Sequence, residues 1–239
     1  MKRLLKAGAL GGAAGGVALA LFLRLVGEGA IGDAVALERS RNGVHHEMFS
    51  RGTQQVGGMI GAVIYGVCMG LVVAVVFAAV RHRLRAQGDW RRSLVVAATG
   101  FVAISLAPFL KYPANPPAVG DPETIGRRTA LFLLMLGLSI VAVWAAWRMS
   151  TWTTSRGWDE RARLPATLAV FVVVVGTGYV LLPGSPDPVT APAQLIWRFR
   201  VASLGGAAVY WTVLGLVMGS LLEPRRGKMT DLALTPTHR

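Results

Sequence analysis

The chain has 239 residues, of which 53% are hydrophobic and 15% charged, and its formal charge is +13. A soluble domain usually carries about 25% charged residues, so the composition excludes an ordinary globular protein, as does a mean hydropathy of +0.51. The arginines flank apolar runs instead of alternating with aromatics, and no zinc-finger spacing occurs, so the charge points to membrane topology and not to nucleic acid.

Six apolar runs approach the roughly 20 residues that a bilayer-spanning helix needs: 4–26, 57–80, 93–110, 129–147, 164–182 and 201–222. The basic start, Lys2, Arg3 and Lys6, resembles the opening of a signal peptide. However, Arg24 follows the run and five more runs come later, which favours an uncleaved first helix. Gly8, Gly12 and Gly16 fall four apart, on one helical face. Small residues at that spacing let helix backbones approach closely. No Lys-Ser or Lys-Thr follows, so the glycines are not a phosphate-binding loop. Residues 27–56 are polar, with room for a short interfacial helix. There His45, His46, Glu47 and Met48 form the densest patch of metal-ligand side chains.

The second run contains Cys68 and Met69, two soft ligands at mid-span. The lone cysteine excludes an intrachain disulfide. Five arginines follow in residues 81–92. The third run carries Pro108 near its end, and the fourth closes on Trp144, Trp147 and Trp152, residues suited to an interfacial belt. A second basic connection spans 148–163, and a tail of 223–239 is expected to be flexible. Lys and Arg number sixteen in the N-terminal tail, the second and fourth connections and the C-terminal tail, against eight in the other three connections. The positive-inside bias then places both termini in the cytoplasm, as an even number of spans requires. The expected fold is an all-α integral membrane protein: one domain, 1–222, built as a bundle of six transmembrane helices.

Residues 111–129, K-Y-P-A-N-P-P-A-V-G-D-P-E-T-I-G-R-R-T, are the most proline-broken stretch. Pro113, Pro116, Pro117 and Pro122 rule out a regular helix there. The loop after the fifth run echoes it. Each holds an Asp-Pro, Asp121-Pro122 or Asp187-Pro188, and then reaches two arginines, Arg127 and Arg128 or Arg198 and Arg200. The echo fits either an internal repeat or shared loop chemistry. These arginines are expected to pair with Asp121, Glu123 and Asp187 and to hold the loops over the bundle.

Imidazole and carboxylate ligands suit a divalent transition metal such as cobalt or nickel. The candidate metal ligands on the outer side are His45, His46, Glu47, Asp121, Glu123 and Asp187. The competing reading of each is structural: a solvated loop for the histidine pair, and turn capping or arginine pairing for the acids. Cys68 and Met69 likewise read as bundle filling. No H-E-x-x-H, G-x-S-x-G, paired-cysteine or ATP-binding motif is present, so no enzyme is expected, and no tightly bound cofactor.

The central loop resembles the signature loop of the CbtA family, the predicted cobalt transporter subunits of bacteria. The opening M-K-R-L-L-K-A-G-A-L-G-G-A-A-G-G, the first outer loop and L-I-W-R-F-R-V-A-S-L-G also fit the family's pattern. By that likeness, Lys111, Tyr112, Pro113, Pro116, Pro117, Gly120, Asp121, Pro122, Glu123, Thr124, Arg127, Arg128 and Thr129 match the signature. Trp197, Arg198, Phe199, Arg200 and Ser203 match the second motif. The resemblance implies a multi-pass protein of the bacterial inner membrane that moves cobalt, linked to cobalamin supply. It also implies a small single-span, histidine-containing partner, CbtB. The route would start at His45, His46, Glu47, Asp121, Glu123 and Asp187, with the first two helices lining or gating it. Nickel is the neighbouring substrate. The alternative from another class is a scaffold or accessory subunit that binds no ion itself.

Overall fold

A computed structural model describes residues 1–42, 50–117, 119–186 and 191–223. The fold is all-helical, with 87% of the described residues in helix and no strand among them. Six helices are long and apolar enough to cross a membrane: α1 (Lys2–Ser40), α2 (Arg51–Arg83), α3 (Asp89–Lys111), α4 (Pro122–Ser155), α5 (Glu160–Leu181) and α6 (Ala193–Leu222). Each apolar run of the sequence falls in one of them, the fifth ending one residue past its helix, and most of the helices are longer than the run inside. At 1.5 Å per residue, the 33 residues of α2 reach about 50 Å, well past the roughly 30 Å of a hydrocarbon core. Helix does not stop where polarity begins, because the backbone stays paired whether its side chains meet lipid or water. For the same reason α1 continues beyond residue 26, through a π-helical turn at Leu23–Gly27 into a polar stretch.

Local chemistry sets the helix ends. Ser50 caps α2, its Oγ accepting from the Thr53 amide at 3.3 Å, and Asp159 caps α5, its Oδ1 accepting from the Ala162 amide at 2.9 Å. Gly157, at φ +73°, closes α4 in the left-handed conformation, with the Trp158 amide donating back to the Thr153 carbonyl. A second π-helical turn, Phe101–Leu106, widens α3 just before Pro108. That ring lacks a donor and crowds the carbonyl four residues earlier.

α1 is the central element, packed between α2 and α6, and α6 in turn packs on α3. The glycines of α1 explain the arrangement. Gly8, Gly12 and Gly16 face α2, where a Cβ on Gly12 would overlap the Gly66 carbonyl and one on Gly16 would lie 2.6 Å from the Ala62 carbonyl. Gly15 faces α6, and a Cβ there would come within 2.9 Å of Tyr210. Backbone therefore meets backbone along the α1–α2 seam. Around it, Phe77, Tyr210, Trp211, Leu214 and Met218 form the main core. α4 and α5 pair as a separate hairpin and join the rest through the C-terminal part of α3, where Ala107, Met135, Ala142 and Val175 make a second, smaller core.

The two ends of the bundle differ. At the basic end, Arg3 donates to the Leu222 carbonyl at 3.0 Å, so α1 begins where α6 finishes. The Trp90 amide donates to Glu223 Oε2 and Arg85 to Thr154 Oγ1. Both termini of the described bundle therefore share one end with the two arginine-rich connections. The opposite end carries the proline-rich loops. Residues 224–239, expected as a flexible tail, lie outside the described residues.

Candidate functional site

The opposite end is built from several long-range ties. Glu28 Oε1, on α1, accepts 2.8 Å bonds from both Arg51 and Gln55 of α2. Asp33, further along α1, forms a 2.9 Å ion pair with Arg198 of α6. Lys111 Nζ, at the end of α3, donates to the Tyr179 carbonyl of α5 at 2.8 Å, and the Tyr179 hydroxyl returns a 2.6 Å bond to the Ala107 carbonyl. The Tyr112 hydroxyl donates to the Pro183 carbonyl at 2.6 Å, and partial burial raises its pKa above the ordinary value, which keeps it a donor. Arg200 reaches from α6 to Asn115 Oδ1 at 3.0 Å and to the Ala114 carbonyl at 3.4 Å. Pro116 and Val119 are buried, so the central loop folds down onto the bundle. Gly120 sits at φ +119°, a region that essentially only glycine occupies.

Two clefts open at this end. One, of about 440 Å³, lies between α1 and the start of α6, with Asp33, Ser40, Gln194 and Arg198 on its wall. The other, of about 300 Å³, lies between the central loop, the start of α4 and the α5–α6 loop, with Tyr112, Asn115, Arg128, Thr129 and Ser185 on its wall. Among the described residues, the second offers only neutral oxygens and a guanidinium, and the first a single carboxylate, already paired with an arginine. The described walls of neither hold the imidazole–carboxylate set that a dehydrated cobalt ion prefers. Among the described residues no three His, Cys, Asp or Glu side chains come together as a metal site.

A comparison over nearly the whole chain decides the family. The family model described as "Probable cobalt transporter subunit (CbtA)" matches residues 1–223. The chain belongs to the CbtA family. No curated protein and no solved structure matches it. The resemblance carried by the central loop thus extends to nearly the whole chain, and the chain is a cobalt transporter subunit by family.

Among the predicted ligands of this CbtA chain, Asp121 and Glu123 are exposed at the start of α4. Asp121 Oδ1 accepts from the Glu123 amide at 2.9 Å, and its carbonyl accepts from the Thr124 hydroxyl at 2.8 Å. Asp121 is therefore the cap of the 3-10 turn Pro122–Thr124 that launches α4. His45, His46, Glu47 and Asp187 lie outside the described residues. Cys68 is exposed on the face of α2 turned away from α1, while Met69 packs against the main core. The expected lining of a path by the first two helices meets a seam that the glycines close, backbone to backbone.

The arginine ties differ in part from expectation. Arg198 is paired with Asp33 of α1 and Arg200 with the Asn115 side chain, so the α6 motif is anchored to α1 and to the central loop. Asp33, Asn115, Tyr179 and Glu28 were missed as organising residues. Nothing local marks them, since each acts through a partner at least 23 positions away.

Proposed function

We propose that this chain is the bilayer-embedded subunit through which cobalt(II) enters the cell, in the bacterial inner membrane, with both termini cytoplasmic and with uptake serving cobalamin supply. The observation that carries the reading is the family match over residues 1–223. The topology agrees with it: arginine-rich connections gather at one end, and proline-rich loops with clefts at the other. In this reading His45, His46, Glu47, Asp121, Glu123 and Asp187 attract the ion at the outer face, and nickel competes. A small single-span, histidine-containing partner of the CbtB kind supplies ligands that the described residues lack.

A second reading has a specific observation in its favour. The α1–α2 seam is shut, and no metal cluster exists among the described residues, which suits an accessory subunit that positions a metal-binding partner. Uptake of radioactive cobalt into proteoliposomes distinguishes the two. The carrier reading expects uptake by this chain alone, inhibited by nickel and lost in Glu123→Gln. Asp121→Asn keeps an acceptor oxygen for the cap, so a loss there reports charge and not folding. No uptake by folded, oriented protein, with uptake restored by the partner, would leave the accessory reading standing.

A further inference from the structure

The basic end contains arginines that the fold does not neutralise. Arg81 and Arg92 share Asp89, at 3.6 and 3.3 Å, and Arg163 pairs with Glu160 at 3.3 Å. Arg83 and Arg85 have no carboxylate partner among the described residues. Arg83 donates to the Ala79 carbonyl at 3.0 Å and lies over the Trp147 ring at 5.9 Å, while Arg85 donates to Thr154 Oγ1 at 2.6 Å. Both reach from the end of α2 and its connection to the last turns of α4.

Beyond these contacts α2 and α4 are not a closely packed helix pair. Helical register identifies the faces that continue from them. Val72, Val76 and Ala79 precede Arg83 at intervals of four, three and four. Ile140 and Trp144 precede Trp147 at intervals of four and three, and Thr151 and Thr154 follow on the same face. Val72, Val76, Ile140 and Trp144 are all exposed. Two exposed apolar faces thus lead away from Trp147 and from two guanidiniums that have no carboxylate partner among the described residues.

We infer that these faces flank a slot between α2 and α4 and that the slot is a binding site for an anionic phospholipid. Its phosphate would be held by Arg83 and Arg85, and an acyl chain would lie between the Val76 and Trp144 faces. Guanidinium is suited to phosphate because its fork presents parallel donors. Basic pockets between helices at the membrane surface are general headgroup receptors. The lipid would act as mortar between the α4–α5 hairpin and the α1–α2–α6 core. The inference is independent of which metal, if any, this chain carries.

The test is native mass spectrometry of the full chain in mild detergent, titrated with phosphatidylglycerol and, separately, phosphatidylcholine, alongside thermal unfolding. Wild type should retain phosphatidylglycerol selectively and melt at a higher temperature with it. Arg83→Ala/Arg85→Ala should bind it about thirty-fold more weakly, given the usual contribution of each basic residue at a lipid surface. Arg91→Ala/Arg161→Ala, which removes equal charge from the same end, should bind normally. Val76→Trp fills the slot with both arginines intact and should also lose the lipid, which separates slot occupancy from misfolding of the arginine variant. Equal binding of phosphatidylcholine, or an Arg83→Ala/Arg85→Ala variant indistinguishable from Arg91→Ala/Arg161→Ala, would overturn the site. So would cross-linking of an Ala79→Cys variant to a second polypeptide in native membranes, because a partner helix would then occupy the slot.

Discussion

Gly12→Ala tests whether close backbone approach, and not merely apolarity, holds this bundle together. The added methyl would overlap the Gly66 carbonyl and meet the Gly66 carbon and Gly70 Cα at 2.9 Å. These are backbone atoms of a long helix, so they cannot rotate aside, and α2 must move by about 1 Å to restore ordinary contact. A gap of that size forfeits a quarter to a half of each dispersion contact along the seam. Overpacking of this kind costs about 3 kcal/mol at its upper end. Alanine's better helix propensity returns up to about 1 kcal/mol. The net loss of about 2 kcal/mol corresponds to a melting temperature lower by about 4–8 °C for a chain of this size. Gly61→Ala is the control: it lies on the same helix pair, but nothing stands within 4 Å of its added methyl, so it should leave the melting point unchanged or slightly raised. Thermal unfolding of the purified proteins in one detergent measures both. Equal melting points for Gly12→Ala and Gly61→Ala would refute the claim that the α1–α2 seam is set by missing side chains.

Three further substitutions address the other ties. Tyr210→Phe removes the 3.1 Å bond to the Gly66 carbonyl and should cost about 1 kcal/mol, read as a modest fall in melting temperature. Gly120→Ala forces a Cβ into φ +119°, a strain of about 1–3 kcal/mol. The central loop should then become the first site of limited proteolysis at its end of the bundle. Asp121→Ala should lose about 1 kcal/mol of capping at the start of α4, whereas Asp121→Asn should keep most of it. Equal destabilisation by both would show that the charge matters more than the acceptor.

The sequence was most informative about matters that one helix can decide alone. Length and hydropathy identify six spans, since a bilayer demands about 20 apolar residues whatever the neighbours are. The Gly8, Gly12 and Gly16 spacing announces a close contact, because the helical period puts those positions on one face. It cannot say that Gly66, Gly70 and Ala74 of α2 lie opposite. The helix ends ran further than hydropathy suggested, because Arg51 and Gln55 are held by Glu28 across the α1–α2 pair, a bond between residues far apart in the chain. Asp121 illustrates the same limit at the candidate site. Its residue type suits metal ligation and turn capping equally, and the capping bond, the 2.9 Å approach of the Glu123 amide, is visible only in the structure.

What the sequence by itself determined, then, is the class of protein, the number of spans, the separation of basic connections from proline-rich ones, and the central loop that carries the family likeness. These follow from composition and local period. The tertiary structure alone decided that α1 is the hub, that α4 and α5 stand apart as a hairpin, and that Arg198 and Arg200 tie α6 to Asp33 and Asn115. The physical reason is that a lipid-facing and a helix-facing apolar residue look alike in a sequence. In a membrane, partner choice rests on shape and on a few polar bonds, which exist only once the helices have met.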